Sequence, residues 1–250
     1  MKELLWLVWQ NPKSRKKYHV GNLLYVADDG YYFEYDKTNK PRGLQEAIKN
    51  GFVTFFAFPD LSKSYYSPFM FHAFSRRLPN KERPDYNSLL QLYGLTSLSH
   101  EMEILRVTKG KTATDSFELV SPLLMNEGMF KVDFYIEGWR YYDGEKSLDT
   151  LENDQELILV REPDLKHDKY AVKILTTDGA HLGYIPAVYA EFFSTLLKED
   201  QFVRMTIKAI NKHGIPQMKV LVHVTGVLPL NLREKYPNLL FPTQHNLEYT

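Results

Sequence analysis

The sequence predicts a mainly β chain with a few helices, of the α+β class. Three features lead there. Short apolar and aromatic runs are punctuated by Asp28-Asp29-Gly30, Asp143-Gly144, Asp178-Gly179 and Lys212-His213-Gly214, and glycine at such points supplies the positive φ of a tight turn. From Met129, the residues Phe130, Val132, Phe134 and Ile136 alternate with Lys131, Asp133, Tyr135 and Glu137, the period-two pattern of a half-buried strand. A single long helical pattern, after Pro186, interrupts the second half. Two parts follow: an N-terminal antiparallel meander with helices, and a C-terminal small, closed or half-closed β-barrel with one main helix.

In order along the chain, Leu4 to Gln10 reads as an apolar strand and Tyr18 to Val26 as a second. Tyr31-Tyr32-Phe33-Glu34-Tyr35 leaves the Asp-Gly turn as a third. Arg15-Lys16-Lys17, between the first two, reads as a solvated loop that blunts a sheet edge, with phosphate contact as the alternative. Leu44 to Ile48 is a short helical patch and the aromatic run Phe52 to Phe58 is expected in the core. Asp85 is placed to cap a helix from Tyr86 to Tyr93, with Gly94 at its end. His100 to Val107 and Ser116 to Val120 read as two strands, making residues 95–128 a connecting hairpin or linker. In the second part, Gly138 lets the strand bend and delivers Arg140-Tyr141-Tyr142, whose two tyrosines would point to opposite faces of a strand. Glu156 to Val160, Ala171 to Leu175 and His181 to Ile185 are strands. A helix opened by Pro186 then puts Tyr189, Ala190, Phe193 and Leu197 on one face. Val203 to Ile210 and Met218 to Val224 close the sheet, and 231–250 is a tail.

Composition removes several classes of function. The 31 basic residues balance 31 acidic ones, so the chain does not coat nucleic acid by charge alone and any such binding is local. Residues 1–125 hold 17 Lys/Arg against 13 Asp/Glu and residues 126–250 hold 14 against 18, an asymmetry too mild to change that. Cysteine is absent, which excludes disulfides, thiolate-bound zinc and thiol catalysis, and fits a reducing compartment. No apolar run nears the roughly 20 residues that cross a bilayer, so a soluble, cytoplasmic protein is expected. His167, His181, His213 and His223 lack a metal-ligand spacing. Gly110-Lys111-Thr112 is not a P-loop, because position 105 is Leu and a strand-like segment follows.

Two resemblances emerge from ordered motifs. Val20-Gly21-Asn22-Leu23, Asp29-Gly30-Tyr31, Phe33-x-Tyr35 and Phe71-x-x-Phe74-x-x-x-Leu78-Pro79 before a helix resemble the N-terminal subdomain of HipA-type Ser/Thr kinases, over residues 1–94. That resemblance implies a subdomain that sits against a kinase and also occurs as a separate chain restraining one. The kinase itself is missing, since no Gly-rich phosphate loop, His-Arg-Asp loop or Asp-Phe-Gly motif occurs.

The second resemblance is more specific. Arg161-Glu162-Pro163, then Asp168-Lys169-x-Ala171-Val172-x-Ile174, then Leu182-Gly183-Tyr184-Ile185-Pro186 and the following helix closely resemble the HIRAN domain, over residues 129–230. It implies an OB-like barrel that binds single-stranded DNA at a free 3′ end. The residues carry that chemistry independently. Unstacked bases need aromatic faces, worth roughly 1–3 kcal/mol each, and Tyr141, Tyr142, His167, Tyr170 and Tyr184 cluster in these motifs. A terminal hydroxyl donates to a carboxylate that an internal phosphodiester would be repelled by, which nominates Asp168. The adjoining phosphates need a cation, from Arg140, Lys166 or Lys169. By resemblance, Arg140, Tyr141 and Asp168 fall on DNA-contacting positions. His167 stands where the family often has Tyr, and Tyr184 where it can have His. Arg161-Glu162-Pro163 reads as a fold element, a buried Arg–Glu pair fixing a loop.

The expectation is a non-enzymatic, two-module bacterial protein without cofactors. Its barrel binds single-stranded DNA through Arg140, Tyr141, Tyr142, His167, Asp168, Lys169 and Tyr184. Its N-terminal module binds a protein partner, a HipA-type kinase, in an antitoxin or regulator role. The alternative is a protein-binding scaffold with no DNA contact. A hydrolase is disfavoured because no convergent carboxylate cluster is visible in the sequence.

Overall fold

The structure, a computed structural model, describes residues 1–166 and 168–242. The chain divides into two compact units, Met1–Pro122 and Leu123–Leu240. It is mostly β, with strands outnumbering helices in the α+β arrangement that the turn spacing predicts.

The first unit is a five-stranded antiparallel sheet. Its strands are β1 (Lys2–Gln10), β2 (Lys17–Val26), β3 (Gly30–Tyr35), β4 (Tyr65–Ser67) and β5 (Phe117–Val120), in the order β4-β3-β2-β1-β5. Four helices accompany it: α1 (Leu44–Lys49), α2 (His72–Ser75), α3 (Tyr86–Leu92) and α4 (Glu101–Thr108). Phe33 is the hub of the core, with ring centroids 4.3 Å from Phe58, 5.3 Å from Tyr35 and 5.6 Å from Phe74. The aromatic run 52–58 is therefore core for Phe52, Phe55 and Phe58, while Phe56 sits at the tip of a tight turn, 96% exposed.

Residues 100–107 correct the strand expectation, because they form α4. His100 accepts the Met102 N–H at 3.3 Å and Glu103 returns to the His100 N–H at 3.1 Å, a reciprocal cap that starts a helix. Met102 and Leu105, three apart, then bury on one face. The segment 95–128 is not a detached connector either: β5 pairs with β1 through Trp6↔Val120 to Trp9↔Phe117. The short strand that follows, β6 (Leu123–Asn126), pairs in the second sheet.

A buried polar group in this unit predicts a pH response. Lys40 Nζ donates to His19 Nδ1 at 2.7 Å and lies 3.1 Å from Asp36, while His19 Nε2 sits 3.0 Å from both Gly21 O and Asn22 Oδ1. These partners keep the ring neutral with its proton on Nε2. Burial first, and the Lys40 charge second, lower the His19 pKa from 6.5 to about 4. A depressed folded-state pKa stabilises the fold above the unfolded value, and that contribution is lost as pH falls from about 6.5 toward 4. Thermal melts should accordingly show Tm dropping over this interval. His19→Gln, which has no proton to gain there, should flatten that part of the profile.

The second unit holds β7 (Met129–Tyr135), β8 (Glu156–Arg161), β9 (Val172–Leu175), β10 (His181–Tyr184), β11 (Val203–Ile210) and β12 (Val220–Val227), and a last short strand of its sheet, β13 (Leu240–Pro242), begins at its final residue. The sheet order is β10-β9-β8-β11-β12-β7-β6-β13, and the sheet curls into an OB-like half-barrel. A bridge between Tyr184 and Glu137 lets the sheet meet itself: Tyr184 N donates to Glu137 O at 2.8 Å and Glu137 N to Tyr184 O at 3.0 Å. The helices are α5 (Gly144–Ser147), α6 (Ala187–Lys198) and α7 (Leu230–Lys235). Pro186 is the residue before the first turn of α6, with extended ψ. Tyr189, Phe192, Phe193 and Leu196 recur at helical spacing on α6 and are buried. Phe130 meets Phe192 at 5.2 Å and Phe193 at 5.7 Å, and Phe134 meets Tyr189 at 5.5 Å. Each such side chain contributes about 1.5–3 kcal/mol by burial. The segment expected as a tail enters α7 and β13; residues 243–250 lie outside the described residues.

Candidate nucleic-acid interface

The chain after β7 cannot continue as a strand, since Gly138 takes φ +79° and a short 3-10 turn, Trp139–Tyr141, follows. Trp139 buries on the inside of that turn and Arg140 and Tyr141 are left outside. The expected strand with alternating tyrosines is thus corrected: a turn, not a pleat, separates Tyr141 from Tyr142. Tyr141 is 69% exposed, enough for a base to lie on its ring. Arg140 Nη2 donates to the Tyr141 hydroxyl at 2.6 Å and its guanidinium carbon lies 4.8 Å from that ring's centroid. A cation held over an aromatic face in solvent is suited to take a phosphate while the ring takes a base.

Tyr142, still 39% exposed, meets a group of rings. Its centroid is 4.0 Å from His181 and 5.3 Å from Tyr184, and His181 and Tyr184 are 5.0 Å apart. Positions 181 and 184 have odd spacing and would face opposite sides of a regular strand. A register shift between His181 and Gly183 puts an extra residue, Leu182, into β10 and returns both rings to one face while Leu182 buries. His181 Nε2 donates to Gly183 O at 3.1 Å. Burial, then the Lys173 charge, lower the His181 pKa despite that bond.

Beneath the rings lies an ion pair. Glu162 Oε1 is 2.5 Å from Lys173 Nζ, and Tyr184 donates its hydroxyl to Glu162 Oε2 at 2.5 Å. Lys173 first, and Tyr184 second, hold the Glu162 carboxyl below its usual range, and burial plus this bond raise the Tyr184 phenol. The expected Arg161–Glu162 pair is corrected here, because Arg161 Nε donates instead to Ser194 Oγ on α6 at 3.1 Å. Glu162, just past the end of β8, keeps the extended pairing through its N–H to Ala171 O, so Arg161 goes to the helix and Glu162 to the opposite side and the rings.

Asp168 and Lys169 stand on the loop between β8 and β9, closed at its base by Glu162 N donating to Ala171 O at 2.8 Å. Asp168 Oδ1 accepts the Tyr170 N–H at 3.0 Å, a side-chain cap of the turn. Lys169 is exposed, with Nζ 4.9 Å from the Tyr170 ring centroid. Among the described residues, no hydrogen bond or ring contact joins Asp168 or Lys169 to Arg140, Tyr141 or the ring group. His167, also expected in the site, lies outside the described residues. The structure therefore brings together Arg140 with Tyr141, and Tyr142 with Tyr184, and adds Glu162, Lys173 and His181, which sequence reasoning had not placed there. The signal available was register: Lys173 is the cross-strand partner of Tyr184.

Among the described residues, no group of three or more His, Asp or Glu is placed to hold a metal ion, and no helix is long and apolar enough to cross a membrane.

A curled, half-closed barrel whose sheet meets itself at the Tyr184–Glu137 bridge defines the class of an OB-like fold. Residues 129–228 match the HIRAN domain family. Among solved structures, the HIRAN domain of human HLTF is similar at 17% identity, covering 44% of this chain and 84% of that one with a TM-score of 0.35. A protein from Lactobacillus plantarum shares 22% identity over 41% of this chain and 100% of that one, TM-score 0.34. The HLTF HIRAN domain in its DNA-bound conformation shares 19% over 45% and 84%, TM-score 0.33. No curated protein matches the chain.

Proposed function

We propose that the second unit binds single-stranded DNA at a free 3′ end and takes no catalytic part. The observation that carries this reading is the Arg140–Tyr141 pair, a cation and an exposed ring held together inside the segment that matches the HIRAN domain. A HIRAN domain, that of HLTF, is described in a DNA-bound conformation. In this reading a base stacks on Tyr141, Arg140 takes the adjoining phosphate, and Asp168 accepts from the terminal hydroxyl. A 3′-phosphate brings roughly two further negative charges against that carboxylate and is rejected.

Fluorescence anisotropy with labelled oligonucleotides tests it. The wild type should prefer a 3′-hydroxyl over a 3′-phosphate end by about tenfold, of the order expected for charge repulsion near a surface. Asp168→Ala should remove the preference and retain the binding. Equal affinity of the wild type for both ends would sink the end-reading.

For the first unit, the proposal is a protein partner of the HipA-type kinase class and a regulator or antitoxin role. It rests on the order of motifs around Val20-Gly21-Asn22-Leu23 and Phe71-x-x-Phe74. Co-purification from a cell extract with mass spectrometry tests it, and recovery of no kinase ends it. A second reading, a protein-binding scaffold, is favoured by the second unit's ion pairs. Lys146 with Asp143, Lys173 with Glu162, Arg204 with Glu156, Lys208 with Asp133, Lys212 with Asp149 and Lys219 with Glu145 neutralise six of its cations among the described residues.

A further inference from the structure

The sequence motif Arg161-Glu162-Pro163 reads as a loop anchor, yet Glu162 makes its contacts on the candidate interface. One carboxylate holds two groups on separate oxygens, the Lys173 ammonium and the Tyr184 hydroxyl, each at 2.5 Å. Tyr184 is packed edge-on against Tyr142 and touches His181. Tyr142 in turn is the residue next to the Arg140–Tyr141 pair. Two residues, Tyr184 and Tyr142, thus stand between Glu162 and the exposed ring, and Glu162 touches neither Arg140, Tyr141 nor Asp168.

Resting on that function, we infer that Glu162 is a positioning residue of the interface: by anchoring Tyr184 it fixes the Tyr142–His181–Tyr184 ring group, and with Tyr142 the turn that carries Arg140 and Tyr141. The chemistry suits the role. Tyrosine rotates about two side-chain bonds, and a half-buried ring at a sheet edge keeps one rotamer only if its polar tip is held. An ionised carboxylate makes the strongest such acceptor. Left alone it would repel a nucleic-acid strand; paired with Lys173 it adds no net charge. Glutamine at 162 can still accept from Tyr184 but cannot pair with the ammonium. Alanine can do neither. The two substitutions therefore separate ring anchoring from charge.

The test uses the full chain with 13Cζ-labelled tyrosine, the Tyr142 and Tyr184 signals being assigned from Tyr142→Phe and Tyr184→Phe. Glu162→Ala should shift both signals and weaken binding of a 3′-hydroxyl oligonucleotide about tenfold. Glu162→Gln should restore the signals and the affinity. With Lys173 released, the Gln variant should also show a salt dependence of log K steeper by about 0.7, one extra cation on a single strand. Thermal melting of each variant separates loss of fold from loss of positioning. Tyr142 and Tyr184 signals unmoved in a folded Glu162→Ala protein overturn the inference. If the wild type shows no oligonucleotide affinity at all, the nucleic-acid reading fails, and the tyrosine signals alone decide the role of Glu162.

Discussion

Gly183→Ala is expected to cost about 3 kcal/mol or more of folding stability, within the range of severe single substitutions. Gly183 has φ +146°, a conformation that L side chains rarely adopt. A Cβ there would stand 2.3 Å from the Glu137 carbonyl oxygen and 2.8 Å from Ile136 Cγ2. The first obstacle is backbone and belongs to the bridge that closes the sheet, so relief means separating Glu137 from Tyr184. Two backbone hydrogen bonds at 2.8 and 3.0 Å go with it, as does the seat of the ring group. Gly179 makes the control. It also has positive φ, +94°, but nothing lies within 4 Å of its Cβ position, so Gly179→Ala should cost only about 1 kcal/mol. Differential scanning calorimetry would read the contrast as a Tm loss of roughly 6–12 °C against a few degrees. Equal melting temperatures for the two variants would show that the bridge is not a closing element.

Tyr141→Ala is expected to weaken single-strand binding about 10- to 100-fold, the effect of losing one stacking ring at about 1–3 kcal/mol, without moving Tm. The ring is 69% exposed and packs on little but its own Arg140, so the fold loses almost nothing. Tyr141→Phe keeps the face and gives up only the bond from Arg140, and should bind within a few fold of wild type. Arg140→Ala should weaken binding of every sequence alike and flatten the salt dependence by about 0.7. Tyr142→Ala differs in kind: it removes a ring contact 4.0 Å from His181, so stability and affinity should fall together. Titration by anisotropy at several salt concentrations checks all four.

The alternation from Phe130 to Phe134 was legible because a half-buried strand writes its two faces directly into residue order, whereas Tyr135, expected on the opposite face, is buried at the end of the strand. The same holds for α6, where one apolar stripe meets one sheet. Arg140 and Tyr141 stood out as candidates through the triplet they share with Tyr142, and the structure leaves both exposed and in contact. The residues that support them were not. Glu162 looked like the partner of the arginine beside it in sequence, whereas the pleat sends Arg161 to Ser194 and Glu162 to Tyr184. His181 and Tyr184 looked like opposite faces until Leu182 bulged between them. The stretch 100–107 alternates apolar and polar residues well enough to pass for a strand, and the cap between His100 and Glu103 is what makes it α4.

By itself, then, the sequence determined this protein's fold class, most of its strands and its main helix, while Asp143-Gly144, expected as a turn, opens α5. These depend on neighbours within a few residues, where backbone sterics and the period of apolar side chains decide. The tertiary structure alone decided which side chains meet across the closing bridge. Such contacts depend on register between strands far apart in the chain, and one inserted residue reverses the face of everything beyond it.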